Sequence, residues 1–337
     1  MPVFATYLHP ESFETSKPRD EISFVGQSLP YFDGVREALV EALPGYPSVP
    51  PARCALGDFE RVHDPDYLRS LKRLADGDPE TAEPRRSAEC SGLEFALPGY
   101  EYTLGGMMEI VRRMREGSLS RGYVFGAPGH HAYPDWDHGY CLLNPQAAAA
   151  RYAQELGFGH PLIIDWDFHH GDGTQAIFAG DRSVHCISIH SAIDLYMSMM
   201  RVTEYGTTAA AEEVGHQNIP VLSEIYTQEF WDEAGLQGRY FRAANVMEEF
   251  DRALERVPWQ PDIVFLFSGY DAHADDCGED VQKWTNADFE ELTRKVCRFA
   301  ERLGIPILST HGGGYRREVA VEAAVCHIGV LSGENTG

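Results

Sequence analysis

Pro161-Leu162-Ile163-Ile164-Asp165-Trp166-Asp167-Phe168-His169-His170-Gly171-Asp172-Gly173 runs from an apolar segment straight into three carboxylates and two imidazoles. An apolar run of this length, 161–166, closed by a glycine-containing turn, predicts a short buried strand. In an open parallel sheet, ligands bind beyond the carboxyl ends of the strands. The charged residues after Ile164 therefore stand where a site belongs, provided the rest of the chain builds such a sheet.

The rest of the chain fits that sheet. Short apolar or β-branched runs at 3–7, 122–126, 184–189, 262–267 and 305–309 predict further strands. Between them, helical periodicity appears at 33–43, 66–75, 101–116, 145–156, 239–256, 287–303 and 316–331. Alternating strands and helices predict a mostly parallel, doubly wound sheet with helices on both faces. No repeat or linker divides the chain, so a single domain over 1–337 is expected. Segments 11–30, 76–100 and 191–218, the last holding Met197, Met199 and Met200, lack periodicity and read as long loops, which usually carry function or an interface.

Composition removes several classes of function. No apolar stretch is long enough to cross a bilayer, and Met1-Pro2-Val3-Phe4 opens no secretory signal. The seven cysteines are scattered and never spaced C-x-x-C, which argues against a disulfide framework or cysteine-bound zinc and for a reducing, cytoplasmic setting. A formal charge of −24 repels phosphate backbones and attracts cations, so nucleic acid is not an expected partner.

Chemical residues collect after four of the predicted strands: Gly129-His130-His131, the stretch from Asp165 to Gly173, Gly269-Tyr270-Asp271-Ala272-His273, and Gly312-Gly313-Gly314-Tyr315. In extended backbone, residues two apart share a side, so Asp165, Asp167 and His169 line one side while Trp166 and Phe168 face the other. Carboxylates with one imidazole suit a borderline divalent ion, zinc or iron(II), and open coordination positions mark a catalytic site. A further ligand must come from another strand, and Asp271 is the best candidate. Each piece alone is ordinary: a histidine pair is more often a surface feature, and a glycine run more often a turn. Their convergence on one sheet edge is not.

In order and content these stretches resemble the histone deacetylase superfamily, which includes bacterial acetylpolyamine amidohydrolases. The matches run through Pro128 to Ala132, Gly139 to Asn144, Asp165 to Gln175, Ile187 to His190, Ser268 to His273 and Gly312 to Tyr315, with weaker ones at His63 to Leu68 and Gly105-Gly106. The resemblance implies the three-layer αβα sandwich of the arginase and deacetylase fold. It implies Asp167, His169 and Asp271 as metal ligands, with Asp165 accepting from His130 and Asp172 from His131. His131 would act as general base and acid, His130 electrostatically, and Tyr315 as donor to the oxyanion. Gly139 would accept the substrate N–H, Tyr140 would line the acyl tunnel, and a structural potassium ion would sit near Asp165, Asp167, His169 and Ser188. The implied reaction is zinc-dependent hydrolysis of the amide of a small N-acylated amine.

Three departures touch the tunnel and rim and leave the chemistry alone. Tyr140 replaces the usual Phe, His311 stands where many relatives carry Glu, and Leu195–Thr207 lacks the expected Pro-Gly-Thr-Gly turn. Asp135 and Asp137, flanking Trp136 in the loop 133–138, are expected at the tunnel mouth, where they would hold an ammonium group by charge and cation–π attraction. The loops at 11–30 and 76–100 would narrow the entrance, a homodimer being one way to do so. Two rivals stand beside this reading. Asp271-Ala272-His273-Ala274-Asp275 resembles the D-A-H-x-D motif of arginase-like ureohydrolases, although the companion G-G-D-H motif is missing. The other is a catalytically silent protein that binds acylated ligands or a partner.

Overall fold

The structure, a computed structural model, describes residues 3–22, 29–78, 87–193, 215–233 and 238–334. Seven strands form one sheet: β1 (Phe4–Tyr7), β2 (Arg121–Val124), β3 (Pro161–Asp165), β4 (His185–Ser191), β5 (Gln217–Val221), β6 (Ile263–Ser268) and β7 (Ile307–His311). Their order is β1-β2-β7-β6-β3-β4-β5, and every pairing is parallel. The helices are α1 (Leu29–Ala42), α2 (Pro65–Ala75), α3 (Leu97–Arg115), α4 (Pro145–Glu155), α5 (Asp172–Ile177), α6 (Gln228–Glu233), α7 (Val246–Glu255), α8 (Asn286–Leu303) and α9 (Arg317–Ser332). No described helix is long and apolar enough to cross a membrane.

Successive strand side chains feed opposite layers, as the two-residue period requires. Leu162 and Ile164 join Val35, Phe250, Phe289 and Ala324 from α1, α7, α8 and α9 in one core. Ile163 joins Leu68, Leu104 and Ala149 from α2, α3 and α4 in the other. A sheet buried on both faces needs such near-continuous apolar strands, and all five residues of β3 are buried. Helix starts follow local chemistry. Asn144 accepts from Ala147 N at 2.9 Å ahead of Pro145, and Thr285 with Asp288 forms a capping box on α8.

The topology sets the position of the site. From β3 the chain moves outward to β4 and β5, and from β6 it moves the opposite way to β7. β3 and β6 are neighbours, with Asp165 level with Phe267, so their diverging exits open a crevice at the carboxyl ends. Residues just past Asp165 and Phe267 line it.

Several sequence expectations need correction. β5 was not expected: its first two residues fall at the end of the stretch read as irregular, 191–218, and it contains Pro220. Pro220 O accepts from Phe241 N at 2.8 Å on the outer side of this edge strand, so the ring costs no bond to β4. Residues 238–245 do not start a helix; Phe241 bridges Val221 and α7 begins at Val246. α3 begins at Leu97 rather than 101, because Pro98 sits in its first turn, where a proline is tolerated. Of the expected loops, Met197, Met199, Met200 and the Leu195–Thr207 stretch lie outside the described residues, as do 23–28 and 79–86.

Candidate active site

Past β3 the backbone turns tightly around its own carboxylates. Asp165 Oδ1 accepts from Asp167 N at 3.0 Å, and Asp167 Oδ1 accepts from His169 N at 3.0 Å. Past β6, Asp271 Oδ1 accepts from Phe168 N at 2.9 Å, and past β7, Gly313 N donates to Asp167 Oδ2 at 2.6 Å. Three strand exits are thus tied together by backbone N–H groups on carboxylates. A Cβ at Gly313 would lie 2.3 Å from Asp271 Oδ2, so only glycine lets the β7 exit come this close.

Asp167, His169 and Asp271 bring one ligand atom each within 4.8 Å of one another. His169 Nδ1 lies 3.1 Å from Asp167 Oδ1 and 3.1 Å from Asp271 Oδ2. Asp271 Oδ2 is buried yet makes no hydrogen bond among the described residues. Two buried carboxylates face each other here, and like charges at such range are unfavourable unless a cation lies between them. Burial first, then the Asp167 charge, pushes the Asp271 carboxyl up to about 7. Burial works against the charged form of His169, but its close approach to the Asp167 and Asp271 carboxylates outweighs it and holds the imidazole well above its ordinary range. Its proton stands where a metal cation would satisfy the same oxygens. An oxygen-and-imidazole set with one acceptor left unused fits a divalent ion.

The two histidines after β2 differ in environment. His130 Nδ1 lies 3.0 Å from Asp165 Oδ2, and His131 Nδ1 lies 2.6 Å from Asp172 Oδ1. Burial depresses both, but for His130 the charges of Asp167 and Asp165 outweigh it and raise the imidazole to about 9. For His131, burial wins, and His130, His138 and His169 add to it, leaving the ring well below its ordinary value. His131 is therefore the neutral one. An ionised Asp172 can only accept, so the His131 proton sits on Nδ1 and Nε2 is left as the basic nitrogen. Tyr133 OH also donates to Asp172, at 2.9 Å.

Tyr315 is 57% exposed, with its ring 6.0 Å from that of His169. Asp276 Oδ2 accepts from the N–H groups of both Tyr315 (2.7 Å) and Arg316 (2.9 Å), and Tyr31 OH donates to Gly314 O. Sequence reasoning missed Asp276, although its place in the acidic run after His273 was a signal. Gly139 and Tyr140 both have positive φ, 56° and 59°. That conformation is uncommon for a tyrosine and marks a constrained turn; it leaves Tyr140 42% exposed.

The expected acidic rim is only half present. Asp135 is exposed, but Asp137 is fully buried and its Oδ1 accepts from Ser87 N at 2.8 Å. It pins the loop instead of facing a ligand. Trp136 lays one face on His138, the rings 4.9 Å apart and 18° from parallel, so that face is closed to an ammonium group. His273 stacks on Phe289, and neither it nor Asp275 belongs to a metal-competent cluster among the described residues. A second metal ion held by the D-A-H-A-D motif finds no support there. His311 turns inward, its Nδ1 2.6 Å from Tyr123 OH. Ser188 is buried opposite Asp165 with its hydroxyl 2.8 Å from His190 Nδ1.

Residues 32–331 match the family model described as the histone deacetylase domain. "Histone deacetylase 5" of Arabidopsis thaliana is 28% identical over 285 residues, covering 80% of this chain and 40% of that protein. "Acetoin utilization protein AcuC" of Staphylococcus aureus (strain Mu50 / ATCC 700699) is 29% identical over 230 residues, covering 66% of this chain and 54% of that one. The chain thus spans about half the length of these curated relatives. Among solved structures, the acetylpolyamine aminohydrolase from Burkholderia pseudomallei superposes with a TM-score of 0.71 at 24% identity, covering 98% of both chains.

Proposed function

Because the chain belongs to the histone deacetylase family, we propose that it is a metal-dependent amidohydrolase that removes acyl groups from small cationic amines, acetylpolyamines or acetyl-lysine-like molecules. The observation that carries this reading is the convergence of Asp167, His169 and Asp271 beside a neutral His131 backed by Asp172.

In this reading Asp167, His169 and Asp271 hold zinc, with iron(II) the other ion suited to the set, and the ion supplies Lewis acidity to the amide carbonyl and to water. His131 Nε2 takes the water proton as oxygen adds to the carbonyl carbon, then returns it to the departing amine as the C–N bond breaks. His130, paired with Asp165, contributes electrostatically as negative charge builds up. Tyr315 OH donates to the oxyanion. Gly139 O accepts the substrate N–H, and Tyr140 walls the acyl group. A potassium ion, if bound, would be held by the backbone around Asp165, Asp167 and His169, near Ser188, in a structural role. Seven free cysteines support a cytoplasmic setting.

The cationic preference rests on the charge of −24 and on the exposed Asp135. N-acetylputrescine should exceed a neutral N-alkylacetamide of equal length in kcat/KM by roughly tenfold at low salt, and less at high salt as charge is screened. Asp135→Asn should narrow the gap. If the neutral analogue is hydrolysed equally well and salt has no effect, the preferred substrate is a neutral or aryl amide.

A further inference from the structure

The loop joining the histidine pair to the Gly139–Tyr140 turn closes through two short antiparallel bridges, Tyr133 with Trp136 and His138 with Cys141. The second turns His138 wholly inside, at 0% exposure. Each imidazole nitrogen then faces a carboxylate: Nε2 lies 3.8 Å from Asp172 Oδ2, and Nδ1 lies 3.5 Å from Glu89 Oε1. Asp172 is the carboxylate whose other oxygen lies 2.6 Å from His131 Nδ1. The rings of His131 and His138 stand 5.5 Å apart, edge to face. Glu89 Oε1 also accepts from Gly139 N at 3.4 Å, which ties this row to the turn beside the site.

A fully buried carboxylate is costly to keep charged without partners. Burial pushes the Asp172 carboxyl up, and His138 is the strongest influence pulling it back. His138 also acts on His131 directly, adding to the effect of burial and of His130. A single buried ring thus bears on both members of the general-base pair.

We propose, resting on the deacetylase reading, that His138 is a positioning residue: through Asp172 it holds the His131 imidazole in the orientation from which it acts as base. The row runs Glu89, His138, Asp172, His131. His131, His138 and Asp172 also meet the distance condition for a metal site. The His131–Asp172 side is already closed by its 2.6 Å contact, so the row serves as a brace rather than an ion site.

His138→Phe keeps a ring on Trp136 and removes both nitrogens; His138→Gln keeps a polar group. Each is combined with Asp172→Asn in a double-mutant cycle read by kcat and KM on an acetyl-lysine peptide, by thermal midpoint and by metal content. His138→Phe should lower kcat about tenfold, in the range for groups that orient a functional residue, with KM nearly unchanged and His138→Gln partly restored. In the Asp172→Asn background it should have little further effect. Should Phe not be accommodated, His138→Gln carries the same cycle. Additive cycles in both turnover and thermal midpoint overturn the role of His138. So does a change confined to KM, or a second bound ion that His138→Phe removes. A wild-type protein that releases no acetate while His138 and Asp172 still couple in thermal midpoint overturns the deacetylase reading instead.

Discussion

Asp271→Asn should leave a folded protein that holds less than about a tenth of the wild-type metal and has no measurable turnover, since a three-ligand site that loses one charged donor no longer retains its ion. Asparagine is the informative substitution. Asp271 Oδ1 accepts from Phe168 N, and an amide oxygen can do the same, so the β3–β6 tie survives while the charge goes. Asp271→Ala also removes that acceptor, leaving a half-buried N–H unpaired at a cost of about 1 kcal/mol. It should lose metal and thermal stability together. Asp167→Ala should behave like Asp271→Ala, because Asp167 accepts from both His169 N and Gly313 N. Metal analysis of the purified variants with their melting curves decides the matter. Full occupancy with near-normal turnover in Asp271→Asn would move the ion to other ligands.

Tyr315→Phe should lower kcat by about a hundred- to a thousandfold, the usual loss of one oxyanion donor, with metal content and thermal midpoint unchanged. The loop that carries Tyr315 is pinned through backbone atoms, by Asp276 on the N–H groups of Tyr315 and Arg316 and by Tyr31 on Gly314 O. The hydroxyl can go without releasing that loop. A donor needed only as charge develops affects turnover more than binding. A loss confined to KM would show that Tyr315 shapes the pocket and takes no part in the chemistry.

The fold was legible because the strands at the centre of the parallel sheet, β3 and β6 above all, are short apolar runs that end in a carboxylate or a serine before glycine. β5 was not, since Pro220 looks like a strand breaker until its outward-facing position at the sheet edge is known. The candidate site was legible because Asp165, Asp167 and His169 keep a period of two, and Asp271 follows another apolar run. The loop 133–138 was harder. Its side chains do not alternate as in a strand, so of its two carboxylates Asp137 is buried on Ser87 and Asp135 is the exposed one. Asp276 and Glu89 meet the site through contacts between distant loops, and His138 through a local bridge to Cys141, none of which periodicity encodes.

Hydrolysis of an acylated amine at this site should depend on a bound metal ion. The direct measurement is acetate release from an acetyl-lysine peptide by the protein as purified, after a chelator, and after zinc(II) or iron(II) is restored. Metal-dependent deacetylation should give one free amine per acetate, cease on chelation and recover with the ion. A folded, metal-loaded protein that releases no acetate, or release that a chelator leaves untouched, would contradict it.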